Sequence, residues 1–303
     1  MYQPRREARS TFVPIRQHRY HLRLWGEPSP AQPPLVLLHG WMDVSASWQF
    51  VVDALEQDRF IVAPDWRGFG LTEGPVVDHY FFPDYLADLD FLLDHFAGDA
   101  PVDLVGHSMG GNVSMLYCGV RPERIRRLVN LEGFGMPASR PSQAPGRYAR
   151  WMDELKELHR GEKTLQTYAS AEGVAQRLMK TNRRLPQDQA EWLARHWARE
   201  GDDGRWHILG DAAHKVVGAQ LYRVDEALEC ARRITAPVLW VEAGDDSLDK
   251  WWQGKFTLAE FHERLKLVPV LEKARVEDAG HMLHHDQPTR VAHLIETFFA
   301  KST

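Results

Sequence analysis

Ser108 stands in Gly106-His107-Ser108-Met109-Gly110, with a glycine two residues to either side. The apolar run Val102 to Val105 leads in and a helical pattern through Leu116 leads out, so strand, tight turn and helix follow one another with Ser108 at the turn. A serine there takes a strained backbone conformation, and glycines at 106 and 110 lack the β-carbon that would hold strand and helix apart. The following helix aims its N–H groups and the positive end of its dipole at negative charge forming over Ser108. The chemistry expected is nucleophilic. A serine hydroxyl is too weak an acid to attack at neutral pH unless a neutral imidazole takes its proton, and that imidazole needs a carboxylate to fix its tautomer and balance its charge.

The surrounding pattern supplies a frame. Thr11 to Arg16 and Arg19 to Trp25 alternate as two antiparallel edge strands, and Leu35 to Leu38 is apolar throughout, as expected of a strand covered on both faces. A helix over about Ser47 to Gln57, a strand over Phe60 to Ala63 and an amphipathic helix over Asp84 to Phe96 precede the Ser108 strand, and Arg127 to Leu131 follows it. From about Met136 to Thr235 the segments read as helices: Tyr148 to Leu158, Gly173 to Lys180, Gln187 to Arg199 and Ala219 to Arg232. Strands return at Pro237 to Val241 and at Leu265 to Val270 or Ala274 to Glu277, and a helix over Val291 to Phe299 closes the chain. The expectation is an α/β fold with a mostly parallel sheet flanked by helices. Residues 1–135 and 236–303 form its core, and residues 136–235 form an inserted helical cap.

Composition narrows the function classes. With 303 residues, 44% hydrophobic and 26% charged, the chain can bury a full core, and a net charge of −5 gives no electrostatic reason for nucleic acid or an anionic membrane as partner. The arginines at 5, 6, 9, 16, 19 and 23 read as solvated strand positions. Cys118 and Cys230 lie far apart, outside metal-ligand spacing, which fits a reducing, cytoplasmic setting without disulfides. No apolar run is long enough to span a bilayer, and no cleavable signal is expected. Oligomeric state is not legible.

The chain resembles the α/β-hydrolase superfamily through His39-Gly40-Trp41, Asp65-x-Arg67-Gly68-x-Gly70, Gly106 to Gly111, Gly244-Asp245-Asp246, and Gly280-His281 followed by Gln287-Pro288. The length of the insertion and the segment Gln176 to Leu185 are similar to the serine hydrolase-like proteins of animals. The resemblance implies the order nucleophile, acid, histidine: Ser108, then Asp246 in the loop after Pro237 to Val241, then His281. Ala243 replaces a glycine common in relatives, which leaves Asp245 and Asp249 open. Glu132, after the preceding strand, is the alternative acid. His284 and His285 adjoin His281, but that stretch lacks the carboxylate support and helical spacing of metal motifs, so no metal is expected. Backbone N–H groups of Trp41 and Met109 are expected to form the oxyanion hole. Cap aromatics such as Trp151 and Trp206 are candidate pocket residues as well as candidate core.

The function this implies is two-step hydrolysis of a small-molecule carboxylic ester through an acyl-enzyme, without cofactor or metal. A serine rather than an aspartate nucleophile speaks against dehalogenase and epoxide hydrolase chemistry. Carbon–carbon hydrolysis of dienoic ketones and perhydrolysis or another acyl transfer use the same three residues. A binding protein on the same fold is disfavoured by the complete set.

Overall fold

The computed structural model describes residues 2–301. An antiparallel hairpin, β1 (Arg9–Ile15) and β2 (His18–Trp25), turns at Arg16, whose φ of 53° is left-handed. There follow β3 (Leu35–Leu38), α1 (Gln49–Ala54), β4 (Ile61–Pro64), α2 (Pro83–Ala97), β5 (Val102–His107), α3 (Met109–Val120) and β6 (Ile125–Leu131). The next stretch carries α4 (Ala144–His159), β7 (Thr167–Tyr168), α5 (Ala171–Thr181), α6 (Gln187–Trp197), β8 (Ala198–Glu200), β9 (Trp206–Ile208) and α7 (Val224–Arg232). The chain ends with β10 (Val238–Ala243), α8 (Ser247–Trp252), α9 (Leu258–Leu265), β11 (Leu271–Val276), α10 (Leu283–Asp286) and α11 (Pro288–Phe299).

Eight strands form one sheet in the order β1-β2-β4-β3-β5-β6-β10-β11, parallel from β4 to β11. Because successive side chains of a strand point to opposite faces, the apolar runs serve two cores at once. Leu35 and Leu37 join Val105, Val129 and Val241 against α1 and α11, while Val36 and Leu38 join Leu104, Leu128 and Trp240 against α2 and α3. This is the expected α/β architecture.

The helix expected from Ser47 is a 3-10 turn at Ser45–Trp48 running into α1, and of the two alternatives for the last strand it is the second that the observed Leu271–Val276 overlaps, since the chain is helical up to Leu265. The stretch between β6 and β10 is also not purely helical. β7, β9 and β8 form a small antiparallel sheet, each strand being two or three residues long and too short for alternation to register in the sequence. Val174, Ala175, Leu193, Ala194 and Trp197 pack with Val44, Ala46 and Phe50 from the loop and helix after β3, and Trp197 Nε1 donates to the Met42 carbonyl at 3.2 Å. Further along, α7 packs on α3: a β-carbon on Gly119 would lie 2.0 Å from the Cys230 carbonyl oxygen.

Candidate active site

β5 passes into α3 with one residue between them, and that residue is Ser108, at φ 52° and ψ −114°. Its N–H donates to the Leu131 carbonyl and its carbonyl accepts from the Asn112 N–H, both at 2.9 Å, which fixes the turn from both sides. The flanking glycines are a steric requirement. A β-carbon on Gly106 would lie 2.4 Å from the Gly110 carbonyl oxygen, and one on Gly110 would lie 2.3 Å from that of Leu38. The helix start is thereby pressed against β5 and β3, and the half-buried Ser108 is left at its N-terminus. Among the described residues the Ser108 hydroxyl has no protein hydrogen-bond partner, which leaves it open to a reacting group.

The loop after β3 lies directly over this turn. A β-carbon on Gly40 would sit 3.1 Å from Ser108 Cβ and 3.0 Å from His107 Nδ1. His39 sets the orientation of the next peptide. Its Nε2 accepts from the Trp66 N–H at 2.9 Å, so its Nδ1 carries the proton and donates to the Gly40 carbonyl at 2.7 Å. In a trans peptide the C=O and N–H point in opposite directions, so holding the Gly40 carbonyl inward turns the Trp41 N–H outward. Burial drives the His39 pKa down to about 4, which keeps that accepting nitrogen unprotonated at neutral pH. Neither the Trp41 nor the Met109 N–H is engaged by another group among the described residues.

His281 arrives from the loop after β11, which turns at Asp278 with φ 53°. The Gly280 N–H donates to Asp286 Oδ2 at 2.8 Å, and His107 Nε2 donates to the His281 carbonyl at 2.7 Å, so the loop is tied to the residue next to the serine. The two rings lie 4.7 Å apart. Burial pushes the His281 pKa down to about 3, so the ring is neutral and one of its nitrogens carries a free lone pair.

The carboxylate facing His281 is Glu132 and not Asp246. Glu132 Oε2 lies 3.4 Å from His281 Nδ1, while its Oε1 accepts from the Ala243 N–H at 2.7 Å. Glu132 takes a left-handed φ of 56° immediately after β6, which swings its side chain under the end of β10. It is buried, and desolvation raises its pKa to about 8 against the opposing pull of the Ala243 N–H. Asp246 is exposed, and its carboxylate caps α8 by accepting from the Asp249 N–H at 2.9 Å. Neighbouring Asp245 pairs with Arg184 and Lys250, which hold its pKa down to about 2. The physical reason is local: α8 begins right after β10 with Asp246 as its N-cap, so that carboxylate turns to the Asp249 N–H and not to His281.

The other candidates separate. Trp206 lies in β9 and lines a cavity of about 320 Å³ with Arg23, His196 and Arg199, a space to which Ser108, Glu132 and His281 contribute nothing. Trp151 sits on α4 beside His79 at 6.3 Å. The aromatic at the histidine is instead Trp251 of α8, edge-on to His281 at 4.1 Å and half exposed. Sequence reasoning passed over it because a lone helix of six residues gives no pattern; the adjacent pair Trp251-Trp252 after the Asp246 loop was the one available signal.

A sequence profile described as alpha/beta hydrolase fold matches residues 33–288. A serine hydrolase-like protein of Danio rerio is 27% identical over 299 residues, covering 97% of this chain and 89% of that protein. A 2-hydroxy-6-oxo-2,4-heptadienoate hydrolase of Pseudomonas putida is 39% identical over 106 residues, 34% of this chain and 38% of that one. Among solved structures, a hypothetical protein of Pseudomonas aeruginosa PAO1 superposes with a TM-score of 0.83 at 25% identity, covering 96% of this chain and 99% of its own. The thioesterase domain from the curacin biosynthetic pathway does so with a TM-score of 0.79 at 23% identity and the same coverage, which is a likeness of fold.

Proposed function

This chain belongs to the alpha/beta hydrolase family, and from that premise we propose that it is a serine hydrolase cleaving a carboxylic ester through an acyl-enzyme on Ser108. The observation that carries the reading is a buried carboxylate, Glu132, facing Nδ1 of His281, whose loop is tied to His107, the residue next to a serine held in a strained strand-to-helix turn. In this mechanism Nδ1–H faces Glu132, so Nε2 takes the Ser108 proton as Oγ attacks the carbonyl carbon. The oxygen that becomes negative is bound by the N–H groups of Trp41 and Met109 and by the N-terminal dipole of α3. The protonated imidazole then gives its proton to the departing alcohol, and a water activated by the same ring releases the acid. Catalysis needs no metal. Trp41 and Trp251, 52% and 50% exposed beside Gly40 and His281, favour an apolar acyl or alcohol group. The inserted helices act as a cap over this mouth, tied to the loop after β3 through Trp197. A cytoplasmic location fits the two free cysteines.

A second reading rests on the local match to the dienoate hydrolase: cleavage of a carbon–carbon bond beside a ketone by the same three residues. A fluorophosphonate should label Ser108 stoichiometrically, and a panel of p-nitrophenyl esters of increasing acyl length should be turned over, unaffected by EDTA. Absence of labelling on folded protein would sink the serine hydrolase reading; labelling without ester turnover, but with cleavage of a dienoic ketone, would replace the ester with the second substrate class.

A further inference from the structure

Behind the nucleophile the fold buries three side chains of metal-ligating type that come from three distant parts of the chain: Asp43 after β3, His107 at the end of β5 and His284 in α10. One donor atom from each lies within 4.8 Å of the others, and Asp43 Oδ2 is 4.0 Å from His284 Nε2. Asp43 Oδ2 and His107 Nδ1 have no hydrogen-bond partner among the described residues; neither does His284 Nδ1, the ring nitrogen other than the one nearest Asp43. Leaving such groups buried and unpaired costs about 1–3 kcal/mol each, so the cluster calls for a ligand.

Two of the three side chains, His107 and Asp43, are already held from outside in the manner of a metal's supporting shell. His107 Nε2 donates its proton to the His281 carbonyl at 2.7 Å, which leaves the lone pair on Nδ1, and Asp43 Oδ1 accepts from the Val44 N–H at 2.9 Å and from the Ser47 hydroxyl. We propose that Asp43, His107 and His284 bind a divalent transition-metal ion of the zinc or cobalt kind, with a water as fourth ligand. Two imidazoles and a carboxylate suit such an ion better than magnesium or calcium. Metal–ligand bonds of about 2.0–2.2 Å place tetrahedral donors roughly 3.3 Å apart, so binding draws the three side chains together by about 1 Å. The ion would join the loop after β3 to β5 and α10, and it does not depend on the reaction proposed for Ser108.

The test uses cobalt(II) as probe on the full chain, both added to folded protein and supplied during expression. The expected result is one equivalent bound, seen as the visible d–d absorption of a four-coordinate ion and displaced by zinc, with zinc also raising the wild-type Tm. Asp43→Asn and His284→Gln should each weaken binding about tenfold or more, and near-ultraviolet circular dichroism verifies that each is folded. Loss of the absorption in either folded variant supports the site. No uptake by either route, or equal uptake by both folded variants, overturns it and leaves a buried water as the occupant. Fluorophosphonate labelling run in parallel reports on Ser108 alone, so the two readings fail separately.

Discussion

Glu132 carries the greater part of what is new at the level of single residues. Ser108→Ala should lower ester turnover by roughly 10⁵ or more with the fold intact, because nucleophile and base act as a unit; near-normal activity would remove the serine from the mechanism. Glu132→Gln should cost about 10⁴, since the amide supports the wrong imidazole tautomer. Asp246→Ala should change turnover by no more than about twofold while costing about 1 kcal/mol of stability as a lost helix cap. The reverse ranking, measured at matched pH, would return the acid to the loop after β10. Because burial raises the Glu132 carboxyl to about 8 and the ionised form is the one that supports His281, kcat/KM should rise with pH up to about that value. A profile already flat between pH 6 and 9 would contradict this.

At the level of elements, the site depends on how closely three backbones approach. Gly106→Ala places a methyl group 2.4 Å from the Gly110 carbonyl oxygen and 2.5 Å from Ser114 Oγ, so β5 and α3 must separate. A loss of about 1–3 kcal/mol in urea unfolding is expected, as for other overpacked sites. Gly40→Ala is milder in space, with contacts of 3.0 and 3.1 Å to His107 Nδ1 and Ser108 Cβ, but it pushes on the loop that presents the Trp41 N–H. Turnover should fall by about 10² with little change in Tm, the cost typical of a displaced oxyanion donor. If Tm fell steeply and the remaining folded protein kept full activity, the loop would be structural only.

Across the whole molecule, an unusual number of histidines are buried. The pKa values of His39 and His196 are driven down to about 4, those of His214, His281 and His285 to about 3, and those of His18, His107 and His284 also fall, from an ordinary value of 6.5. Below pH 6.5 the unfolded chain therefore takes up protons that the folded chain refuses. Stability should drop on acidification by up to about 1.4 kcal/mol per pH unit for each such group. Glu132 and Asp43, raised to about 8 and about 7, act in the opposite sense: the folded protein keeps protons that the unfolded chain gives up, so stability is lost as pH rises from the ordinary carboxyl range towards 8. Eight lowered histidines outweigh the three raised carboxyls, Asp43, Glu132 and Asp286, below pH 6.5, and of these groups only the carboxyls act above it. The urea midpoint should peak near pH 6.5 and fall more steeply towards pH 5 than towards pH 8; greater stability at pH 5 than at pH 6.5 would refute the assignment.

Local chemistry alone determined the strand-turn-helix around Ser108, since the two glycines and the apolar run allow no other close packing, and the same holds for the buried strands Leu35–Leu38 and Val238–Ala243. Their sequence signature is the physical cause itself: no β-carbon at a contact around Ser108, and no charged group on either face over Leu35–Leu38 and residues 238–241. The partner of His281 was decided only in three dimensions. Glu132 and Asp246 both follow strands that lie side by side, and the choice between them turns on a left-handed backbone at Glu132 and on the N-cap of α8 claiming Asp246. Asp43 gives the same lesson. A carboxylate that the stretch around His284 lacks in sequence is brought to it by the loop after β3, because packing joins segments 241 residues apart that no spacing rule connects.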